Sequence, residues 1–352
     1  MAELAATAHL ERLLAIDPDA EADRIAAWIR AQVRGLRRRG VVIGVSGGVD
    51  SAVTAALAAR AVGVDRVFAL LMPERESDPA STERGLEVVR RFGLAHAIVD
   101  ITAPLEALGA YAARDAAIAE VVPGYGPGWR SKVVTRGPES GGFGQLALVT
   151  EDPNGHRREV RLDSRTQRAI VAATNCKQRV RKLVEYQHAE RLHHAVAGTP
   201  NLLEYELGFF VRGGDGLADL KPIAHLYKSQ VYRLAEALGV PASVRRARPS
   251  TDTYTLPQGQ DEFHFVLDHR RLDLLLAGLR AGFSDAALLA ATGLDPDRLA
   301  FLKDDIARKR ALARELDRPA LVPPPSSQAP GVGPSGRGPD RCDRTRDAPA
   351  GG

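Results

Sequence analysis

The sequence predicts an α/β fold: a three-layer, doubly wound parallel sheet with a β-hairpin insertion and a helical C-terminal part. Three observations carry this prediction. Short apolar runs alternate with helical patterns from Val41 onward, the first run enters its helix through "VSGGVDS", and the gaps between runs are long enough for helical crossovers. Parallel strands require such crossovers, and their right-handedness places helices on both faces of the sheet. With 352 residues, 44% of them apolar, the chain can bury a full core.

The elements follow in order. Ile25, Trp28, Ile29, Val33 and Leu36 recur at helical spacing, which predicts a helix from about Ala20 to Arg38. "VVIGV" is a short buried strand, and Asp50 to Ala61 a helix of small residues. "RVFALLMP" is a second strand, "STERGLEVVRRFG" a helix stopped by glycine, and "AHAIVDIT" a third strand. The pattern breaks between Ala119 and Ala173. "VVPGYGPGW" reads as a loop, and "GQLALVTEDPNGHRREVRLD" as a hairpin turning at "DPNG", with Leu146 and Leu148 facing Val160 and Leu162. This insertion, residues 120–173, is either a flap over substrate or a plain surface hairpin. Helical patterns resume in "NCKQRVRKLVEYQHAERLHHAVAGT" and "LYKSQVYRLAEALGVP", and a helical pair spans 284–316. Residues 1–320 therefore read as one domain. The Pro-, Gly- and Arg-rich stretch 321–352 has little to bury and is expected to be disordered.

Composition narrows the setting. Cys176 and Cys342 form neither a disulfide framework nor a metal-type spacing, which fits a reducing, cytoplasmic compartment. No run is long enough to span a membrane. The net charge of +4 suits an anionic small molecule as well as nucleic acid and does not choose between them.

The turn after the first strand carries the chemistry. Gly47 and Gly48 let backbone N–H groups approach an anion at a helix N-terminus, and Ser46 and Ser51 add hydroxyls. There is no lysine of the kind a conventional phosphate loop carries. Asp50 would repel a bare phosphate, but it suits one neutralised by Mg²⁺, a hard cation that takes carboxylate oxygen. The spacing thus points to a pyrophosphate–Mg²⁺ site. "SGGVDS" resembles the signature of the N-type ATP pyrophosphatases, which cleave ATP to AMP and pyrophosphate. That resemblance implies an adenine nucleotide α-hydrolase-like fold and an ATP site over Gly44, Val45, Ser46, Gly47, Gly48, Val49, Asp50 and Ser51.

A second constellation, "AVAGTPNLLEYELGFFVRGGDGLADLKPIAHLYKSQVYRLAEALGVP", resembles the NAD synthetases, ammonia-dependent ligases that convert deamido-NAD to NAD. The likeness covers most of Gly44 to Lys309. It implies that Glu204 joins Asp50 at Mg²⁺ and that Thr199, Lys228 and Ser250 contact ATP. It further implies that Asn175, Arg179, Arg212, Asp219, Arg308 and Lys309 contact the dinucleotide. Taken singly, Glu204 reads as an exposed helix acid and Lys228 as a surface lysine; at matched spacings the site reading prevails. The basic pair Arg181 and Lys182 reads as a solvated helix face. Two family positions depart, with Arg212 in place of Lys and Gly213 in place of Tyr. The stretch "TYTLPQGQDEFHFVLDHRRLD" reads as a mobile loop.

The resemblance implies catalysis through an acyl-adenylate, with Asp50 and Lys228 at the phosphoryl step; an acid near the second step, Asp215 or Asp219, is the candidate for deprotonating ammonium. It also implies a homodimer. Some forty residues precede the first strand and neither cysteine lies in a nitrilase-like domain. Free ammonia, or ammonia from a glutaminase partner in trans, is the expected nitrogen source. Three other readings stand beside this one: the same chemistry on a different carboxylate or nucleotide, a silent nucleotide sensor, and a DNA-binding helix-turn-helix at residues 283–310. The last offers Asp297, Asp304 and Asp305 where base-reading side chains belong, so no nucleic-acid partner is expected.

Overall fold

The computed structural model describes residues 2–136, 145–249, 253–259 and 264–323; Ser250, Asp252, Cys342 and the tail from 324 lie outside the described residues. The chain divides into a compact unit, Met1–Asp317, and a C-terminal stretch, Arg318–Gly352. In the compact unit α1 (Ala2–Leu13) and α2 (Pro18–Gly35) lead into β1 (Val41–Gly44). There follow α3 (Val49–Val62), β2 (Val67–Leu71), α4 (Pro79–Phe92), β3 (Ala95–Ile98), α5 (Thr102–Ala107) and α6 (Ala110–Val121). The insertion holds β4 (Arg130–Arg136), β5 (Gln145–Glu151) and β6 (Arg157–Arg161). After it come α7 (Ser164–Leu192), β7 (Ala195–Ala197), α8 (Leu202–Glu206), α9 (Lys228–Ala237) and α10 (Ala242–Arg246). The helices α11 (His269–Arg280), α12 (Asp285–Thr292) and α13 (Pro296–Leu316) close the unit.

The sheet is parallel in the order β3-β2-β1-β7. Alternation along each strand shows why it needs two covering layers. Val41 and Ile43 join a core with residues of α2, α3, α4 and α9, whereas Val42 joins one with residues of α5, α6 and α7. Both faces are apolar, so neither can meet water. From β1 the chain winds outward through β2 and β3, then returns to the other side of β1 at β7. The carboxyl ends of β1 and β7 therefore flank the topological switch point, where open α/β sheets bind ligands.

Four elements differ from the sequence reading. "AVA" is a strand, β7, buried throughout, not a helix end: His193 leaves α7 with φ 57°, and Ala195 N–H bonds the Gly40 carbonyl. Its three residues are too few to show a period. The long helix α7 begins at Ser164, eleven residues before the pattern at Asn175. The last five residues of the stretch read as a mobile loop open α11, whose N-cap Asp268 accepts from Arg271 N–H.

The insertion also gains a strand. The expected hairpin is present, with Leu148 opposite Val160 and a turn closed on Asp152. Its β5 additionally pairs with β4, which makes a three-stranded antiparallel sheet. That sheet is stitched to the segment 253–258. Ser131 N–H donates to Thr255 Oγ1 (2.7 Å), Leu256 N–H to Ser131 O (3.1 Å), Lys132 Nζ to Pro257 O (3.2 Å) and Gln258 Nε2 to Val133 O. Tyr254 packs into a core with Ile118, Val133, Leu148 and Ile170. The insertion is thus part of the packed structure. Among the described residues, no helix is long and apolar enough to cross a membrane.

Thr255→Val would leave the buried Ser131 N–H without its acceptor, a loss of about 1–3 kcal/mol. Chemical denaturation is expected to show that loss, and limited proteolysis to cut faster within 253–258; unchanged proteolysis would contradict the stitching.

Candidate active site

The glycine turn lies at the switch point. Gly47 adopts φ 81°, and a Cβ there would stand 2.1 Å from the Ser81 carbonyl oxygen, so conformation and space both demand glycine. Ser51 Oγ donates to Gly48 O (2.9 Å), and Ser46 Oγ accepts from Gly48 N–H (3.3 Å), which holds the turn. The N-cap of α3 is Gly48, which supplies no side-chain cap. Its first N–H groups therefore remain donors for an anion, aided by the helix dipole.

Asp50, in the first turn of α3, is held from two sides. Its Oδ2 takes the Lys228 ammonium, and its Oδ1 accepts from Asn201 Nδ2 at 3.1 Å. Lys228 is buried. Burial alone would lower its pKa, but the Asp50 and Glu204 carboxylates reverse that and raise it, so it stays an ammonium. Asn201 also caps α8: its Oδ1 accepts from the Leu203 and Glu204 N–H groups, and its own N–H donates to Glu204 Oε2 at 3.0 Å. This capping box makes one buried asparagine the link between two carboxylates 154 positions apart. Two carboxylates facing one cation are a fitting oxygen donor set for a hard divalent ion. Among the described residues, no group of three or more His, Cys, Asp or Glu side chains gathers as a ready metal site.

Lys228 is aimed by its own helix. The N–H groups of Lys228 and Ser229, the first of α9, donate to Asp273 of α11 at 3.2 and 2.8 Å. Asp273 is fully buried. Burial raises its carboxyl to about 6, against the pull of those N–H bonds and of Lys228. Neither Asn201 nor Asp273 was singled out from sequence. The "NLLE" capping box was a readable signal for the first; the second depends on a contact 45 positions away.

The other expected residues fall in four places. Thr199 lies half-buried between β7 and α8, beside the Asn201 link. Asn175 and Arg179 share a face of α7, and Arg179 Nε donates to Arg212 O at 3.3 Å, which unites those two arginines. Asp215 closes the following turn by accepting from Val211 N–H (2.8 Å); burial raises its carboxyl, opposed by that bond and by Lys182. Asp219 accepts from Val196 N–H (2.8 Å) and Tyr186 OH (3.3 Å), at the β7 edge. Arg308 is exposed on α13, whereas Lys309 is engaged by Asp305 (2.5 Å) and the His264 carbonyl.

Lys182 is not on a solvated face. It is buried and pairs with Glu185 at 2.5 Å, and a Cβ on Gly44 would stand 2.8 Å from Glu185 Oε1, so this pair lies against the base of the glycine turn. Further along α7, buried Lys177 bonds Glu74 (2.8 Å), Glu76 (2.7 Å) and the Thr253 carbonyl (2.9 Å). Burial would raise the Glu76 carboxyl, but a two-pronged bond from Arg114 and the Lys177 ammonium hold it down at about 2. The helical pair α12–α13 buries Leu288, Leu299, Leu302 and Ile306 against α1 and α11.

The NAD synthase family model matches residues 21–124 and 156–310. The chain is 52% identical over 313 residues to the NH(3)-dependent NAD(+) synthetase of Rhizobium meliloti strain 1021, a match covering 88% of this chain and 94% of that protein. Among solved structures it is similar to the NH3-dependent NAD synthetase from Campylobacter jejuni in complex with the nitrate ion. That likeness has a TM-score of 0.58 at 24% identity, over 88% of this chain and 100% of that one. It is also similar to NMN synthetase from Francisella tularensis, with a TM-score of 0.62 at 21% identity, over 88% and 99%. At these identities the structural likenesses speak for the fold.

Because Asp273 holds its proton more tightly folded than unfolded, its contribution to stability falls as pH rises from about 4 to about 6. Asp273→Asn is expected to abolish that fall, on the order of 1–3 kcal/mol. Urea unfolding of both proteins at pH 4.5 and 6.5 measures it, and parallel pH profiles would contradict it.

Proposed function

The chain belongs to the NAD synthase family, and we propose that it makes NAD from deamido-NAD by ATP-dependent amidation, with ammonia as nitrogen donor and AMP and pyrophosphate as products. One observation carries the reading. Asp50, Lys228, Asn201 and Glu204 converge at an uncapped helix N-terminus behind a two-glycine turn. That arrangement suits a polyphosphate accompanied by a metal, and the 52% identity over most of the chain supports the substrate.

In this mechanism the nicotinate carboxylate attacks the α-phosphorus of ATP. A carboxylate–phosphorus bond forms, and the bond to the β-phosphate oxygen breaks. Pyrophosphate leaves toward the Ser46–Ser51 turn, where backbone N–H groups and the serine hydroxyls receive its charge. Lys228 supplies a fixed ammonium beside the phosphates. Asp50 and Glu204 would hold Mg²⁺, which when bound neutralises phosphate charge. Ammonia then attacks the acyl carbon, AMP departs with the former carboxylate oxygen, and a proton is released. The chain's contribution to the phosphoryl step is positioning and charge.

Asp215 is the base we assign to deprotonating ammonium, since a burial-raised carboxyl takes protons more readily. Gly44 to Ser51, Thr199 and Ser250 are assigned to ATP. Asn175, Arg179, Arg212, Asp219, Arg308 and Lys309 are assigned to the dinucleotide, with the adjoining Arg179 and Arg212 suited to its phosphates. We further assign the protein to the cytoplasm as a homodimer that uses free ammonia or ammonia from a glutaminase partner.

Purified protein given ATP, Mg²⁺, ammonia and deamido-NAD is expected to release AMP, pyrophosphate and NAD in equal amounts. Nicotinate mononucleotide and simple carboxylates are expected to support much slower AMP release, and equal rates would overturn the substrate assignment. Asp215→Asn is expected to lower ammonia-dependent turnover about 100-fold or more while ATP–pyrophosphate exchange persists; unchanged turnover would remove Asp215 from the mechanism.

A further inference from the structure

We propose that Arg84, on α4, is a catalytic residue that binds the departing pyrophosphate, an inference that rests on the reading of the glycine turn as a phosphate seat. The turn's other nearby cation, the Lys228 ammonium, is shared with Asp50, and Glu204 faces the same charge. Pyrophosphate brings several negative charges to backbone donors that carry only partial charges of their own. A full positive charge packed against the turn would add to what Lys228 and a metal held by Asp50 and Glu204 supply, and Arg84 stands there.

Three observations place it. A Cβ on Gly47 would lie 3.2 Å from the Arg84 Cβ and 2.1 Å from the Ser81 carbonyl, so the turn packs directly on the first turns of α4. Because α4 follows β2, its N-terminus lies at the same carboxyl edge of the sheet as the turn. Helical side chains lean toward their N-terminus, so the Arg84 side chain runs back toward that edge. There its Nη2 donates to Ser81 Oγ at 3.0 Å, and the nearest carboxylate, Asp78, stands 3.9 Å away and is largely exposed.

The third observation concerns the guanidinium itself. Arg84 Nε is buried, and no acceptor meets it among the described residues. A buried donor on a charged group is costly to leave unpaired. A phosphate oxygen on the turn would satisfy it, and a guanidinium can hold two such oxygens at once through its planar fork. The Ser81 bond fixes one prong and so orients the rest. Arg84 thus stabilises the charge that builds on the leaving group as the α-phosphorus bond breaks.

Calorimetric titration of inorganic pyrophosphate with Mg²⁺ tests this on the wild type, Arg84→Lys and Arg84→Gln. Losing a charge-assisted bond is expected to weaken pyrophosphate binding about 10- to 100-fold in Arg84→Gln, with Arg84→Lys between the two. AMP binding should be unchanged in all three, and ATP turnover should fall in kcat in parallel with pyrophosphate affinity. Pyrophosphate binding within twofold of wild type in Arg84→Gln overturns the proposal, as does a wild type that binds none. Should Arg84→Gln fail to fold, Arg84→Lys decides: an affinity equal to wild type with no change in kcat overturns it. A wild type that binds pyrophosphate as expected but forms no AMP with deamido-NAD and ammonia would instead overturn the proposed reaction.

Discussion

The buried ammonium of Lys228 is the constraint around which the site is arranged. Removing a lysine from water costs several kcal/mol, and only close, hydrogen-bonded counter-charge repays it. Asp50 provides that charge, with Glu204 facing the same cation. The requirement propagates outward. Asp50 must hold its rotamer, which Asn201 secures, and Asn201 is in turn positioned as the cap of α8. Lys228 must enter from the first residue of α9, and Asp273 of α11 pins that helix end by its N–H groups. Four chain segments, from α3, α8, α9 and α11, are thereby tied to one charge. Partial satisfaction would be worse than an apolar core, so the whole set acts as a unit.

The same pairing resolves why an acid stands where phosphate should bind. A carboxylate in the first turn of α3 is favoured by the helix dipole, but left alone it would repel the polyphosphate we propose for the turn. Paired with Lys228, it adds no net charge to the seat, and its second oxygen is engaged by a neutral amide. On the proposed reading the anion would meet uncapped N–H groups, the serine hydroxyls and the guanidinium of Arg84, whose Cβ packs beside Gly47. Local neutrality at Asp50 and positive charge at Arg84 are complementary: the first removes repulsion, the second supplies attraction.

What could be read from sequence was what sequence holds locally. "VVIGVSGGVDS" carries strand, turn and helix start within a dozen residues, because Gly47 and Gly48 act through their own backbone geometry. The "DPNG" hairpin was legible for the same reason, with Leu148 opposite Val160 as alternation requires. Elements defined by distant partners were not. β7 has three residues and owes its strand character to pairing with β1. β4, with its mixed "RSKVVTR", becomes a strand through β5 on one side and the segment at Thr255 on the other. Lys182 looked like part of a solvated basic face because charge and helical period are visible in sequence, whereas the burial that pairs it with Glu185 is not. Asp273 sits among leucines in "RRLDLLLAGLR", where only the tertiary contact with α9 explains an acid.

The insertion shows how a family fold can take in new structure without loosening its centre. The family model runs from 21 to 124 and resumes at 156, so the whole of β4 and β5 stands apart from the common pattern. Added strands at a sheet's edge normally leave unpaired backbone, but here one edge of β4 is covered by β5 and the other meets Thr255 and Leu256. The junction is fastened below by Lys177, which the common part of the chain contributes from α7. Its ammonium reaches Glu74 and Glu76 after β2 and the Thr253 carbonyl at the start of the stitched segment. Lys177 repeats the logic of Lys228: a buried cation that must find oxygen from several segments and so fixes where they lie. One such cation organises the proposed phosphate seat, and the other joins the insertion to the carboxyl edge of the sheet on which that seat would lie.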